Sequence, residues 1–313
     1  MSQYPTQSAP ETRQIEAVVR HIFLSRPFIV ERVAEGGSTF VYRILCGDET
    51  FYLRVLPEEG ASFAPEVAAH TLLRERHVNV PEVIYFEQRN ELLQRSIMMT
   101  SAIKGRPLSQ SSSLPVEVQE AIVAEAGRDL ALSNSVPVEG FGWVERDSSD
   151  TRRLQAPWPT YRAFALEWWD ADLAYLAKST LSSTEAAILE CLVSQYDSYL
   201  NSEGSYLAHG DFDSTHIYQE AGRYTGIIDL GEIRGTDRLY DLGYFHMRDG
   251  EQLLFRLEAV LVRSYWAIAP LPSDVEQRIR FTSLLINVRA LASSLQKAAS
   301  QSDHPAPVES AAG

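Results

Sequence analysis

His209-Gly210-Asp211-Phe212-Asp213-Ser214-Thr215-His216, followed by Gly226-Ile227-Ile228-Asp229-Leu230-Gly231, is the part of the chain densest in side chains that could do chemistry. Asp211 and Asp229 stand eighteen residues apart, with two strand-like stretches between them, Ile217 to Tyr218 and Tyr224 to Ile228. A hairpin of that size returns the chain so that both carboxylates can face one site. Phosphoryl transfer uses such a layout: one carboxylate orients or deprotonates the attacking hydroxyl, and the other holds a divalent cation against nucleotide phosphates. Two surface-loop aspartates are the plain alternative, and a bare His-Gly-Asp carries little information. The ordered set carries more, because it runs on into Asp237-Arg238-Leu239-Tyr240-Asp241-Leu242.

Such loops need a framework, and hydropathy patterning supplies it in two parts. From Pro27 to about Ile103, short β-branched and aromatic runs (Phe28 to Val33, Phe40 to Leu45, Phe51 to Val55) alternate with Gly-rich or Gly-Asp turns. Pro65 opens a helix with Ala69, Leu72 and Leu73 on one face, and Val83 to Phe86 and Ser96 to Thr100 read as further strands. Thr12 to Phe23 has the periodicity of an amphipathic helix. Beyond Gly105 the pattern turns helical. Val118, Ile122, Ala126 and Leu130 recur every four residues behind Pro115, and Tyr161 to Tyr175 steps by threes and fours. Ser182 with Glu185, and Ser273 with Glu276, have capping-box spacing.

Two features of the first part bear on phosphate binding. Glu35-Gly36-Gly37-Ser38-Thr39-Phe40-Val41-Tyr42 lies between two strands, where backbone N–H groups can cover phosphates, although Gly36-Gly37 also suits an ordinary hairpin. Arg54 stands in the strand Phe51 to Val55, and Glu66 opens the next helix twelve residues later. Arginine bridges phosphate oxygens bidentately. For either residue alone, an exposed ion pair worth ~0–1 kcal/mol is the competing reading.

Taken in order, these motifs resemble the aminoglycoside phosphotransferase family, small-molecule kinases with a protein-kinase-like fold. Its pattern is His-Gly-Asp, four residues, Asn, then Ile-Asp-(Leu/Trp)-Gly and Asp-Arg-x-x-Asp-(Leu/Ile). The resemblance implies an α+β, bilobal fold: a small antiparallel β lobe with one key helix, and a larger, mainly helical lobe. Residues 1–103 would form the nucleotide-binding lobe, 104–299 the catalytic and acceptor-binding lobe, and 300–313 a disordered tail. It implies Asp211 as the catalytic aspartate, Asp229 as the principal Mg²⁺ ligand, and His209 and Asp241 as braces of the loop. It implies a nucleotide site made by Gly36, Gly37, Ser38 and Thr39, by Arg54 with its partner Glu66, and by linker backbone from Ser101 to Ile103. ATP and GTP are equal candidates.

The chain departs from the pattern where the family's metal-binding Asn stands, because that residue is His216. Mg²⁺ prefers oxygen ligands, so imidazole is a softer partner. Direct ligation, ligation through water, a phosphate contact and a plain turn residue all stay open for His216. Macrolide phosphotransferases of the same superfamily resemble this chain in carrying His there. The spaced three-glycine loop of protein kinases is absent as well.

The implied reaction is transfer of the γ-phosphate of ATP or GTP to a hydroxyl of a small molecule, an aminoglycoside or macrolide antibiotic among the candidates. A metabolic acceptor (an amino alcohol, a sugar, a homoserine-like compound) and a nucleotide-binding pseudokinase or regulatory module are the alternatives. Phe141-Gly142-Trp143 and Trp158 to Lys178 match where the family places helices beside the acceptor. Glu167, Trp168 and Asp170 are the candidate acceptor contacts there, with Asp172 and Trp169 in the same stretch, an acidic and aromatic wall suited to a cationic or ring-shaped alcohol. The competing reading makes the tryptophans core and the carboxylates a solvated helix face.

Composition narrows the partners. The 28 Lys+Arg against 42 Asp+Glu give −14, which excludes general binding to nucleic acid or to anionic membranes. Hydrophobic residues at 45% exclude a disordered chain. Cys46 and Cys191 have no metal-type spacing, Met1 to Pro10 lacks an apolar signal core, and no apolar run reaches the length of a membrane span. A cytoplasmic enzyme is the expectation, and the oligomeric state is unread. So acidic a chain must neutralise a triphosphate locally, through Mg²⁺, Arg54 and backbone N–H groups.

Overall fold

The computed structural model of the chain describes residues 8–33, 39–147, 150 and 152–302. Gly36, Gly37 and Ser38 of the expected phosphate loop therefore lie outside the described residues, as does the tail beyond Ser302. Helix α1 (Thr12–Phe23) is closed at its start by reciprocal bonds between Glu11 and Gln14, and turns Ile15, Val18 and Val19 inward. They pack on a five-stranded antiparallel sheet of order β1-β2-β3-β5-β4, made of β1 (Ile29–Val33), β2 (Phe40–Cys46), β3 (Glu49–Val55), β4 (Val83–Glu87) and β5 (Ile97–Ser101). Between β2 and β3 the chain reverses in the two residues Gly47-Asp48, with Gly47 at φ 62°. Alternation then sorts β3: Phe51, Leu53 and Val55 enter the core under α1, and Arg54 faces the other side. There it meets α2 (Ala64–Glu75), which has Pro65 in its first turn and Glu66 buried.

The remaining elements are β6 (Arg106–Pro107), α3 (Val116–Ser133), β7 (Gly142–Trp143), α4 (Tyr161–Ala165), α5 (Trp169–Ser179), α6 (Ser183–Gln195), β8 (Tyr206–Ala208), β9 (Ile217–Glu220), β10 (Arg223–Ile227), β11 (Arg234–Thr236), α7 (Tyr240–Arg248), α8 (Glu258–Trp266) and α9 (Val275–Ser302). The result is the α+β, two-lobed arrangement that the sequence implies. Hairpin β9–β10 pairs with β6, so the turn of chain leaving the first lobe is fixed against the hairpin that separates Asp211 from Asp229. The principal core runs from Leu73 of α2 through Leu130 of α3, Phe212, and Leu242 of α7 to Leu261 of α8. Among the described residues, no helix is long and apolar enough to cross a membrane.

Three local expectations shift. The stretch Tyr161 to Tyr175 forms two helices, because the chain breaks between Leu166 and Trp168 and restarts with Trp169 buried. Helix α9 starts at Val275, with Asp274 paired to Arg278 at its head, one residue later than a cap at Ser273 gives. At its other end α9 continues through Ser302, so Ser300 to Ser302 are helical and not part of a disordered tail. The capping box at Ser182 and Glu185 forms as its spacing predicts.

Candidate active site

The segment His209–His216 leaves β8 and is tied down by one buried carboxylate. Asp241, fully buried at the start of α7, accepts the N–H groups of His209 and Gly210 at 2.9 Å each, and the Asn134 side-chain amide at 2.9 Å. A helix N-terminus suits that charge. Gly210 is required here: at φ 98°, an added Cβ would lie 2.0 Å from the Glu232 carbonyl oxygen.

Within this frame His209, Asp211 and His216 converge, their ligand-capable atoms all within 4.8 Å of one another. His209 donates through Nε2 to the Ile228 carbonyl at 2.8 Å, which fixes the ring. Its Nδ1 lies 2.9 Å from Asp211 Oδ1, a close charge contact that is not aligned as a hydrogen bond, so both atoms are enclosed without one. Burial opposes charge on this ring, but Asp211, and then Asp241 and the Ile228 carbonyl, outweigh it and raise His209 to about 9. Burial likewise pushes the Asp211 carboxyl up. The His209 contact, with His216 and Arg234 farther off, reverses that and holds it below its ordinary value.

His216 donates through Nδ1 to the Asp211 carbonyl at 2.9 Å. A carbonyl only accepts, so Nδ1 carries the proton, and in the neutral ring Nε2 keeps its lone pair. Nε2 is 4.0 Å from Asp211 Oδ2. Asp229 sits in the left-handed region at φ 66°, capping the turn Leu230–Glu232 through Gly231 N–H, with its side chain 51% exposed. The Ile228 N–H donates to the His216 carbonyl at 3.1 Å, so Asp229 follows directly on a residue tied to His216, and carboxylate and imidazole are both donor types that suit a divalent cation, imidazole being the softer.

Arg54 is the buried centre of a second cluster. It pairs with Glu66 through Nη1, lies 3.9 Å from Asp229 through Nη2, and donates to Thr39 Oγ1 at 3.3 Å. Burial works against its charge, yet Glu66 and Asp229 together raise its pKa. Sequence reasoning missed the fifth member. Arg146 Nη2 lies 3.1 Å from the other Glu66 oxygen and donates to the Gly231 carbonyl at 3.0 Å, so it links α2 to the Asp229 turn. A single arginine in an irregular segment gives no periodic signal by which to find it.

In the linker, the Ser101 N–H is bonded to the Glu82 carbonyl at 2.8 Å and the Ala102 N–H to the Thr50 carbonyl at 3.0 Å. Those two donors are engaged within the sheet. Among the described residues nothing accepts the Ile103 N–H.

Beside Asp211 opens a cleft of about 760 Å³, walled by Trp143 of β7, Phe164, Glu167 and Trp168 around the α4–α5 break, Tyr244 of α7 and the α9 face carrying Arg289. Glu167 and Trp168 line it as expected, whereas Asp170 does not: it is exposed in the first turn of α5, and Asp172 is the carboxylate that reaches the wall. The two aspartates lie about 200° apart around α5, so they face different sides of it. Arg234, Glu232, Tyr240 and Arg289 are further lining residues that sequence reasoning missed.

A model of the phosphotransferase enzyme family (APH) matches residues 29–271. No curated protein sequence matches the chain. Among solved structures, that of aminoglycoside phosphotransferase APH(4)-Ia is similar with a TM-score of 0.66 at 20% identity, covering 93% of this chain and 94% of that one. A thermostable mutant of the same protein, in a ternary complex with AMP-PNP and hygromycin B, gives 0.64 at 20% identity, with 92% and 93% covered. A putative fructosamine-3-kinase from Thermobifida fusca YX-ER1 gives 0.58 at 17% identity, with 88% and 91% covered. The GDP and kanamycin complex of APH(2")-IIia gives 0.57 at 17% identity, with 90% and 92% covered. At these identities the structural likenesses establish a shared kinase-like fold.

Proposed function

The chain belongs to the phosphotransferase enzyme family, and on that premise we propose that it transfers the γ-phosphate of ATP or GTP to a hydroxyl of a small molecule bound beside Asp211. The observation that carries this reading is the convergence on one locus of an ionised Asp211, the Arg54–Glu66 pair and the half-exposed Asp229, with a ligand-sized cleft opening next to them.

In this reading Asp211 accepts a hydrogen bond from the acceptor hydroxyl and aligns its oxygen for attack. The lowered pKa makes Asp211 a weak base, which suits a loose transition state that requires little early deprotonation. His209, charged and locked by the Ile228 carbonyl, keeps the carboxylate ionised and fixes its rotamer. Arg54, oriented by Glu66, faces the phosphates, and Arg146 holds Glu66 in place from behind. Asp229 and His216 would hold Mg²⁺, whose contribution is to neutralise charge on the phosphates. The Ile103 N–H offers the linker's open donor to a purine edge.

Incubating the protein with Mg²⁺ and either ATP or GTP, against aminoglycosides, macrolides and common metabolic alcohols, tests the proposal directly. The expected outcome is a phosphorylated product detected by mass with at least one nucleotide. Mg²⁺-dependent nucleotide binding with no product across the panel would favour a regulatory nucleotide-binding module instead.

A further inference from the structure

The acceptor cleft carries a charge pattern unlike that of the molecule as a whole. Four carboxylates line it, from Glu167, Asp172, Asp211 and Glu232, and three cations, from Arg234, Arg289 and Lys297. Most of these charges are already paired. Asp172 is buried, and Arg289 Nη1 reaches its two oxygens at 2.8 and 3.1 Å. Glu232 lies 3.4 Å from Arg234, and burial raises its pKa despite that cation. Asp211 lies 2.9 Å from His209 Nδ1. Among the described residues, Glu167 and Lys297 make no ion pair, and they oppose one another in sign. The cleft is thus close to neutral in a chain of net charge −14.

Two of its three tryptophans are committed in the same sense. The Arg234 guanidinium stacks 3.9 Å from the centre of the Trp143 ring, and Arg289 lies 4.8 Å from that of Trp168. These two tryptophans are among the most exposed large apolar side chains of the protein, at 48% and 47%. A ring that already faces one cation is a poor partner for a second, yet it remains a good platform for the C–H face of a sugar or macrocycle. Phe164, Leu285 and Val288 extend that apolar wall.

We infer that the acceptor is a hydroxylated molecule of low net charge with an apolar ring face, and that the cleft disfavours polycationic amino sugars. The inference rests on the phosphotransfer reading of Asp211 and specifies its substrate class. An ammonium group next to the reacting hydroxyl would approach Arg234, while among the lining carboxylates only Glu167 is without a cationic partner or a histidine contact.

The test compares binding of kanamycin, as the polycationic probe, and salicin, as an uncharged aryl glucoside, by isothermal titration calorimetry at low ionic strength on the full chain. Wild-type protein binds salicin at least as tightly as kanamycin. Lys297→Glu, an exposed change, and the double variant Lys297→Glu/Arg289→Gln gain kanamycin affinity, by about tenfold for the double variant, and the gain disappears at high salt. Melting curves confirm that each variant is folded, and Lys297→Glu alone decides should the double variant fail to fold. Kanamycin binding wild-type protein more tightly than salicin, or variants that gain nothing, overturns the inference. Two parallel readouts keep the phosphotransfer reading separable: thermal shift with ADP and Mg²⁺, and product formation on any alcohol. A chain that transfers phosphate but prefers kanamycin fails only the charge argument. One that never transfers phosphate fails the broader reading whatever its kanamycin affinity.

Discussion

On one side of Asp211, the charged groups other than Asp229 are buried and held by short contacts to partners or backbone, whereas the acceptor cleft on the other side is wide and walled by side chains from distant segments. The first region draws its rigidity from Asp241, Glu66 and the Ile228 carbonyl, each of which holds a functional residue by a short contact. The second is shaped by packing of α4, α5 and α9 around tryptophans that solvent still reaches. This difference teaches where the protein keeps its chemistry fixed and where it can vary its ligand. Positioning a transferring phosphoryl group tolerates little movement, and recognising an acceptor tolerates much more.

The comparison breaks most visibly through Asp241. Asp241→Ala leaves the N–H groups of His209 and Gly210 and the Asn134 amide without their acceptor in a buried site. A loss of about 3–5 kcal/mol is expected in urea unfolding, with activity abolished. Glu167→Gln, in the cleft and without an ion pair among the described residues, is expected to change stability by less than about 0.5 kcal/mol. Equal effects of the two substitutions would remove the distinction between the regions.

Arg146 sharpens it at the next level. Arg146→Ala frees one Glu66 oxygen and the Gly231 carbonyl without touching Asp211. Nucleotide affinity measured by calorimetry is expected to fall about tenfold, equivalent to roughly 1.4 kcal/mol, with partial recovery in Arg146→Lys and salicin binding unchanged. Unaltered nucleotide affinity would show that Glu66 needs only Arg54.

A third effect is a pH slope. His209 is raised to about 9 in the folded protein, above its ordinary value of 6.5. The stability contributed by its charged ring is therefore fully present below pH ~6.5 and is lost as the pH rises through about 9. Melting temperatures across that window should decline in wild-type protein and flatten in His209→Asn. Parallel profiles would mean that the ring carries no charge beside Asp211.

Legibility in sequence follows the same division. His209, Asp211, His216 and Asp229 fall within one short stretch whose order and spacing are informative, and Arg54 and Glu66 follow from strand alternation and a proline-marked helix start. Most strands and helices were equally readable, because their apolar periods match the faces they bury. The cleft was not readable to the same degree. Asp170 and Asp172 differ by two positions, about 200° around a helix, and spacing alone does not say which side of α5 faces the wall. Arg146 and Arg289 act through partners 80 and 117 residues away, and nothing local marks them.

The central claim is that Asp211 positions the hydroxyl that receives phosphate. The most direct measurement compares wild-type and Asp211→Ala protein for phosphorylated product by mass, on the best acceptor found, with nucleotide binding followed in parallel. Turnover is predicted to fall by roughly 10²–10⁴ while nucleotide affinity stays within a few fold. Unchanged turnover in Asp211→Ala would contradict the account.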